Sequence, residues 1–202
     1  MIKCGLTGSI GTGKSTVSKI LKEKEIKIID ADVISRDVLQ KYPEIMQRVK
    51  KEFGEGYFDW RGEFKRKEFA NQIFRFPKIR IKYEEIIMPY IKKEIENEFK
   101  KYEKAKEKLV ILDAPTLIEN NVHEEMDYVI LVWADNNNMM KRVRSRDQLS
   151  NNNIVSRINA QMPMEEKKKY ASIIINNNGD LKSTEEQVED MVKFFIIISE
   201  ED

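Results

Sequence analysis

The chain has 202 residues, 41% hydrophobic and 35% charged, with 36 Lys and Arg against 35 Asp and Glu for a formal net charge of +1. That length supports one substantial α/β domain with an insertion and is too short for two large domains. The balanced charge leaves no global field for nucleic acid or an anionic membrane, no apolar run approaches the ~20 residues a bilayer crossing needs, and a single cysteine excludes an internal disulfide.

Residues 2–6, Ile-Lys-Cys-Gly-Leu, read as a short buried strand with Cys4 as a small hydrophobe inside it. The expectation that follows is a cytoplasmic protein without a leader segment. Directly after the strand, residues 8–15 read Gly-Ser-Ile-Gly-Thr-Gly-Lys-Ser and match G-x-x-x-x-G-K-[ST] at all four fixed positions. Residues 15–24 then show helical periodicity, with Val17, Ile20 and Leu21 on one face. A strand turning through glycines into a helix aims backbone N–H groups and the positive end of the helix dipole at one point, which suits a polyphosphate. Lys14 can reach the β- and γ-phosphates, and the Ser15 hydroxyl suits Mg²⁺.

A second strand, residues 26–29, ends at Asp30-Ala31-Asp32. Residues 42–106 hold no convincing buried strand. They read as helices over 44–53, 65–75 and 78–106, the last interrupted near Pro89, with turns at 54–56 and 59–62. Strands return at 109–112, ending in Asp113-Ala114-Pro115, and at 128–133, ending in Ala134-Asp135. Residues 136–161 form a shorter helical excursion bearing Arg142, Arg144, Arg146 and Arg157. A strand at 173–175 ends in Asn176-Asn177, and the apolar run 194–198 belongs to a last helix. Each strand is apolar on both faces, the pattern of parallel strands covered by helices. The fold class expected is α/β: a doubly wound, mostly parallel five-stranded sheet of the P-loop NTPase type. Residues 1–41 and 107–202 make its core, 42–106 a helical insertion, and about 136–161 a small lid.

Ligands of open α/β sheets sit beyond the carboxyl ends of the strands, so the acids there are candidates for chemistry. Asp32 is placed to accept or orient the proton of an attacking hydroxyl when a γ-phosphoryl group moves. Asp30 is the alternative in the same turn, and one of the two can instead cap a helix starting at Val33. Asp113 can hold part of a Mg²⁺ shell; no second acid follows it, which weighs against a motor ATPase that polarises water. Arg142 and Arg146 stand four residues apart on one helix face and can neutralise phosphoryl oxygens, with Lys141 and Arg157 assisting. The plain alternative is a basic surface helix with salt bridges to neighbours such as Asp147. A guanine-reading Asn/Thr-Lys-x-Asp segment is absent, since residues 133–136 read Trp-Ala-Asp-Asn, and ATP is the nucleotide expected. His123, the one histidine, is expected at the surface near a helix start.

These residues together resemble the dephospho-CoA kinase family over nearly the whole chain. The resemblance is carried by residues 5–15, Asp30-Ala-Asp-Val-Ile34, residues 66–70, Asp113-Ala-Pro-Thr-Leu-Ile-Glu119, residues 142–147, Arg157-Ile-Asn-Ala-Gln161 and Asn176-Asn-Asn-Gly179, in that order. It implies transfer of the γ-phosphate of ATP to the 3′-hydroxyl of the ribose of dephospho-CoA, with ATP and Mg²⁺ as cofactors. It also implies that Gly11, Thr12, Gly13, Lys14, Ser15 and Thr16 hold the ATP phosphates, Asp32 is the base, and Asn177 lies near adenine. Arg142 and Arg146 would belong to a mobile lid. The insertion would be the acceptor domain, with Arg66 facing acceptor phosphate and Leu117 near the acceptor's adenine or ribose. The partner expected is this small molecule, on a monomer or weak homo-oligomer without nucleic acid or membrane. Three positions depart from the family pattern and receive no role: Met88 replaces a histidine, Ser172 an aspartate and Met139 a glutamine. A nucleoside or nucleotide kinase of the same architecture and an ATP-dependent regulatory module are the competing readings.

Overall fold

A computed structural model of the chain describes residues 1–147 and 151–201. Strands β1 (Ile2–Thr7), β2 (Lys27–Asp30), β3 (Leu109–Asp113), β4 (Tyr128–Trp133) and β5 (Ile173–Asn176) form one sheet in the order β2-β3-β1-β4-β5. Every pairing is parallel. The helices are α1 (Lys14–Glu23), α2 (Ala31–Lys41), α3 (Pro43–Phe53), α4 (Arg66–Arg75), α5 (Pro77–Lys104), α6 (Asn136–Asp147), α7 (Asn151–Asn159), α8 (Met164–Lys168) and α9 (Leu181–Glu201). Single turns of 3₁₀ helix occur at Glu55–Tyr57 and Val122–Glu125. The expected lid at 136–161 includes residues 148–150, which lie outside the described residues. Among the described residues no helix is long and apolar enough to cross a membrane.

The chain divides into two compact units, Met1–Asp30 with Asn97–Asp202, and Ala31–Glu96. In the first, β1 sits between β3 and β4, so the strand order switches there and the carboxyl end of β1 opens into a crevice. Cys4, Leu6, Ile111, Ile130 and Val132 from the three central strands pack with Val17, Ile20 and Leu21 of α1 and with Val188, Met191 and Phe195 of α9. Each such side chain taken from water contributes about 1.5–3 kcal/mol. That layer fixes α1, and with it the loop joining it to β1.

The expectation that every strand is covered on both faces fails at the margins of the sheet. β2 and β5 are edge strands; Ile28 is half-buried and Ile174 exposed. An apolar triplet reads the same in a central strand and at an edge, because pairing partners are not encoded locally.

The second unit is helical apart from residues 54–65, a 3₁₀ turn and irregular segment pinned by one antiparallel bridge between Phe58 and Phe64. Phe69 is 1% exposed and meets the rings of Phe53, Tyr57, Phe64 and Tyr83 at centroid distances of 5.0, 4.9, 5.1 and 5.1 Å. The expected break at Pro89 does not occur: α5 runs through it. A mid-helix proline costs ~3 kcal/mol. Buried Ile86, Ile87, Ile91 and Ile95 on both sides of it offset that cost.

Candidate active site

The loop between β1 and α1 is shaped by two glycines with positive φ, Gly11 at 84° and Gly13 at 90°. A side chain at either would be strained, and neither has room for one. A Cβ on Gly11 would come within 2.6 Å of the Met139 carbonyl oxygen, and one on Gly13 would collide with the Asn177 amide. Met139, where the family pattern has glutamine, is thus a buried packing residue under the loop. The first N–H groups of α1, at Lys14 and Ser15, begin the helix and have no preceding helical carbonyl to bond. They face the dipole's positive end outward, the arrangement that receives phosphate.

Thr12 was expected among the phosphate-binding residues, and it lies in the loop with 0% exposure. Its hydroxyl donates to the Ser9 carbonyl at 2.8 Å and its N–H to the same oxygen at 3.2 Å, so its side chain braces the loop from inside. Its carbonyl accepts from Asn177 Nδ2 at 2.7 Å and from Arg142 Nη1 at 3.3 Å. Arg142 Nη2 also donates to the Asn177 carbonyl at 2.7 Å, and Thr184 Oγ1 donates to Asn177 Oδ1 at 2.7 Å. Asn177 is therefore a buried clamp between the end of β5, α9 and the loop. Arg142 is half-buried against the same backbone, while Arg146, one turn further along α6, is exposed. Arg142 is thereby seated on the loop.

At the end of β3, Asp113 is 8% exposed and lies opposite Leu6 of β1 and Asp30 of β2. Its carboxylate takes the Lys14 ammonium on one oxygen and the Ser18 hydroxyl on the other. Ser18 was not singled out from the sequence. Its spacing of four from Lys14 was the available signal, because both then share a face of α1. The oxygen donors on hand for a cation are the exposed Ser15 hydroxyl and Asp113. No group of three or more acidic, His or Cys side chains that could hold a metal ion occurs among the described residues. That small set fits Mg²⁺, which usually takes one or two protein oxygens and fills its octahedron with waters and substrate phosphates.

Beside Asp113, the turn that follows β3 holds a buried cation which periodicity did not predict. Lys167 of α8 has no exposed surface, and its Nζ donates to the Pro115 carbonyl at 2.7 Å and meets Glu119 Oε1 at 3.1 Å. Burial pushes its pKa below the usual lysine value, the Glu119 carboxylate opposes that shift, and the nearby Lys14 charge adds to it. Nothing local in the run Lys167-Lys168-Lys169 separates the first lysine from its neighbours.

Leu117, expected near an acceptor's adenine or ribose, is fully buried under β1, where its side chain fills the space a Cβ on Gly5 would need. Any influence it has on a ligand passes through that packing. Ser172 ties the sheet: its hydroxyl accepts the Val129 N–H at 3.1 Å, and its own N–H donates to the Val129 carbonyl at 2.8 Å. His123 is half-buried with its ring edge-on to Tyr170, centroids 4.9 Å apart, and its enclosed Nδ1 has no hydrogen-bond partner among the described residues. The expected surface position is corrected accordingly.

Asp32 and Arg66 belong to the helical unit. α2 begins at Ala31, two residues earlier than expected, so Asp32 sits in its first turn, exposed, where the dipole favours a carboxylate. Arg66 is the first residue of α4 and is also exposed. Met88 is half-buried in α5.

A family model described as dephospho-CoA kinase matches residues 2–183. The chain is 56% identical over 197 residues to the dephospho-CoA kinase of Clostridium perfringens, covering 98% of this chain and 99% of that one. Among solved structures, one from Thermus thermophilus is similar with a TM-score of 0.80 at 28% identity, covering 95% of this chain and 96% of that one. A dephospho-CoA kinase from Campylobacter jejuni shares the fold with a TM-score of 0.69 at 23% identity, covering 95% of each chain.

Proposed function

We propose residue roles from one premise: the chain belongs to the dephospho-CoA kinase family. It phosphorylates the 3′-hydroxyl of the ribose of dephospho-CoA with ATP, giving coenzyme A and ADP, the last step of coenzyme A biosynthesis. The observation that supports the site best is the Lys14–Asp113–Ser18 cluster beneath a loop that admits only glycine at residues 11 and 13.

In this reading the backbone of residues 11–16 cradles the triphosphate, and Lys14 exchanges its Asp113 partner for phosphate oxygens. Thr12 contributes backbone only, its side chain being committed inside the loop. Asp32 accepts the proton of the 3′-hydroxyl as that oxygen bonds to the γ-phosphorus and the bond to the β,γ-bridging oxygen breaks. The leaving group is ADP, and Arg142 and Arg146 balance the charge that develops on the transferred group and on it. Asn177 holds the wall against which adenine lies. Arg66 binds an acceptor phosphate, and Leu117 shapes the acceptor pocket from below rather than by contact. Mg²⁺, held by Ser15 and Asp113, would supply charge neutralisation of the β- and γ-phosphates. The protein works as a monomer or weak homo-oligomer in the cytoplasm.

The test is ADP formation with Mg²⁺-ATP and a panel containing dephospho-CoA, nucleosides and nucleoside monophosphates. Turnover with dephospho-CoA is expected, together with weakened ATP binding and turnover in Lys14→Ala. Unaltered ATP affinity and rate in that variant would remove the loop from the reading.

A further inference from the structure

Three segments that carry candidate chemistry are tied together by side chains outside the phosphate cradle. The turn after β3 follows Asp113, and its Pro115 carbonyl accepts from Thr7 Oγ1 at 3.2 Å and from Lys167 Nζ at 2.7 Å. Glu119, at the end of that turn, takes Lys167 on Oε1 and accepts the Met162 N–H on the same oxygen at 2.9 Å. The neighbouring Gln161 accepts the Ile10 N–H, within the phosphate loop, at 2.9 Å. Residues 161–162 follow α7 and precede α8, so they end the excursion that bears the arginines. A cation and a carboxylate thus fasten the Asp113 turn to the arginine excursion, which is itself fastened to the loop.

Burying an ammonium costs several kcal/mol unless its partners are well placed, and replacing such a pair with apolar groups is often neutral for stability. An ion pair here is therefore a poor device for stability alone. It is a good device for register, because charge-assisted bonds are short and any shift that unmakes one leaves a buried charge unpaired. We infer that Lys167, acting with Glu119, is a positioning residue for phosphoryl transfer, fixing the turn that presents Asp113 relative to the phosphate loop and the arginine excursion. It touches no substrate, having no exposed surface. The inference rests on the roles given above to Lys14 and Asp113. Misplacing a reacting group by about 1 Å can cost on the order of 10²-fold in rate.

The experiment compares Lys167→Met, Glu119→Gln, the Lys167→Met/Glu119→Gln double variant, Lys168→Met and Asp113→Asn by steady-state kinetics and thermal melting. Lys167→Met is expected to lower kcat roughly tenfold to a hundredfold. KM for both substrates should stay within about threefold, the signature of lost transition-state interactions. The double variant leaves no unpaired buried charge and keeps an amide oxygen for the Met162 N–H, so it should melt near the parent protein yet remain slow. That combination separates positioning from a role in folding, and it still decides the matter if Lys167→Met alone fails to fold. Parental kcat in the double variant would overturn the inference, as would an equal loss in Lys168→Met, whose side chain lies over Trp133. Parental kcat in Asp113→Asn would instead remove the underlying site reading, and the two failures are told apart within one set of assays.

Discussion

Around the sheet, aliphatic side chains with almost no exposed surface hold α1 and α9 in place, and the functional loop is backbone clamped from outside by Asn177, Arg142 and Gln161. In the helical unit the centre is one ring, Phe69, met by four others, and the candidate groups Asp32 and Arg66 are exposed side chains in the first turns of helices. The first unit preorganises main-chain donors, whose aim cannot change without breaking the strand-to-helix turn. The second presents long side chains whose aim depends on rotamers. Nucleotide binding and acceptor binding should therefore respond to different kinds of substitution.

The sharpest division comes from Asp32→Asn. Turnover should fall at least ~10²-fold, the lower range for a positioned base, while calorimetry finds ATP binding retained. Normal turnover would move the base elsewhere, with Asp30 first in line.

Phe69→Ala should destabilise by about 3–5 kcal/mol, the usual cost of emptying an aromatic core site. Chemical denaturation is expected to show a separate early transition for the helical unit, with ATP still bound by the rest. A single cooperative transition that abolishes ATP binding would erase the distinction between the units.

Arg66→Ala removes about 1.5–3 kcal/mol of charge-assisted hydrogen bonding to an acceptor phosphate. KM for dephospho-CoA should rise about tenfold to a hundredfold with KM for ATP unchanged. Equal rises for both would place Arg66 outside the acceptor site.

The smallest effect expected is a slope with pH. The folded state lowers the pKa of Lys167 beneath its ordinary 10.5, chiefly through burial, with Glu119 and Lys14 as the facing charges. At pH below the folded value the ammonium is charged in both states and its burial cost is present in full. As pH climbs from the folded value towards the ordinary one, the unfolded chain keeps a proton that the folded chain releases, so this group's contribution rises and its cost is gone above that window. The difference in melting temperature between the parent and Lys167→Met should accordingly shift in the parent's favour between neutral and strongly alkaline pH. A pH-independent difference would mean that Lys167 titrates alike in both states.

Glycines at fixed spacing between an apolar strand and an amphipathic helix admit few conformations, so the phosphate loop, α1 and the parallel character of the sheet were legible in order along the chain. Asp113 was legible for the same reason: it stands where an apolar run stops. Lys167 was not, since nothing local separates a buried lysine from its neighbours Lys168 and Lys169. The continuity of α5 through Pro89 was not legible either, because the proline's cost is local while the burial of the isoleucines beside it depends on what packs against them.

Local stereochemistry and periodicity thus settled which segments are strands, where the phosphate loop lies, and which acids end the strands. The strand order that makes β2 and β5 edges, the seating of Arg142 on the loop and the burial of Lys167 were decided only when distant segments met. Side-chain burial and ion pairing depend on what arrives from elsewhere in the chain, and no window of neighbouring residues contains that information.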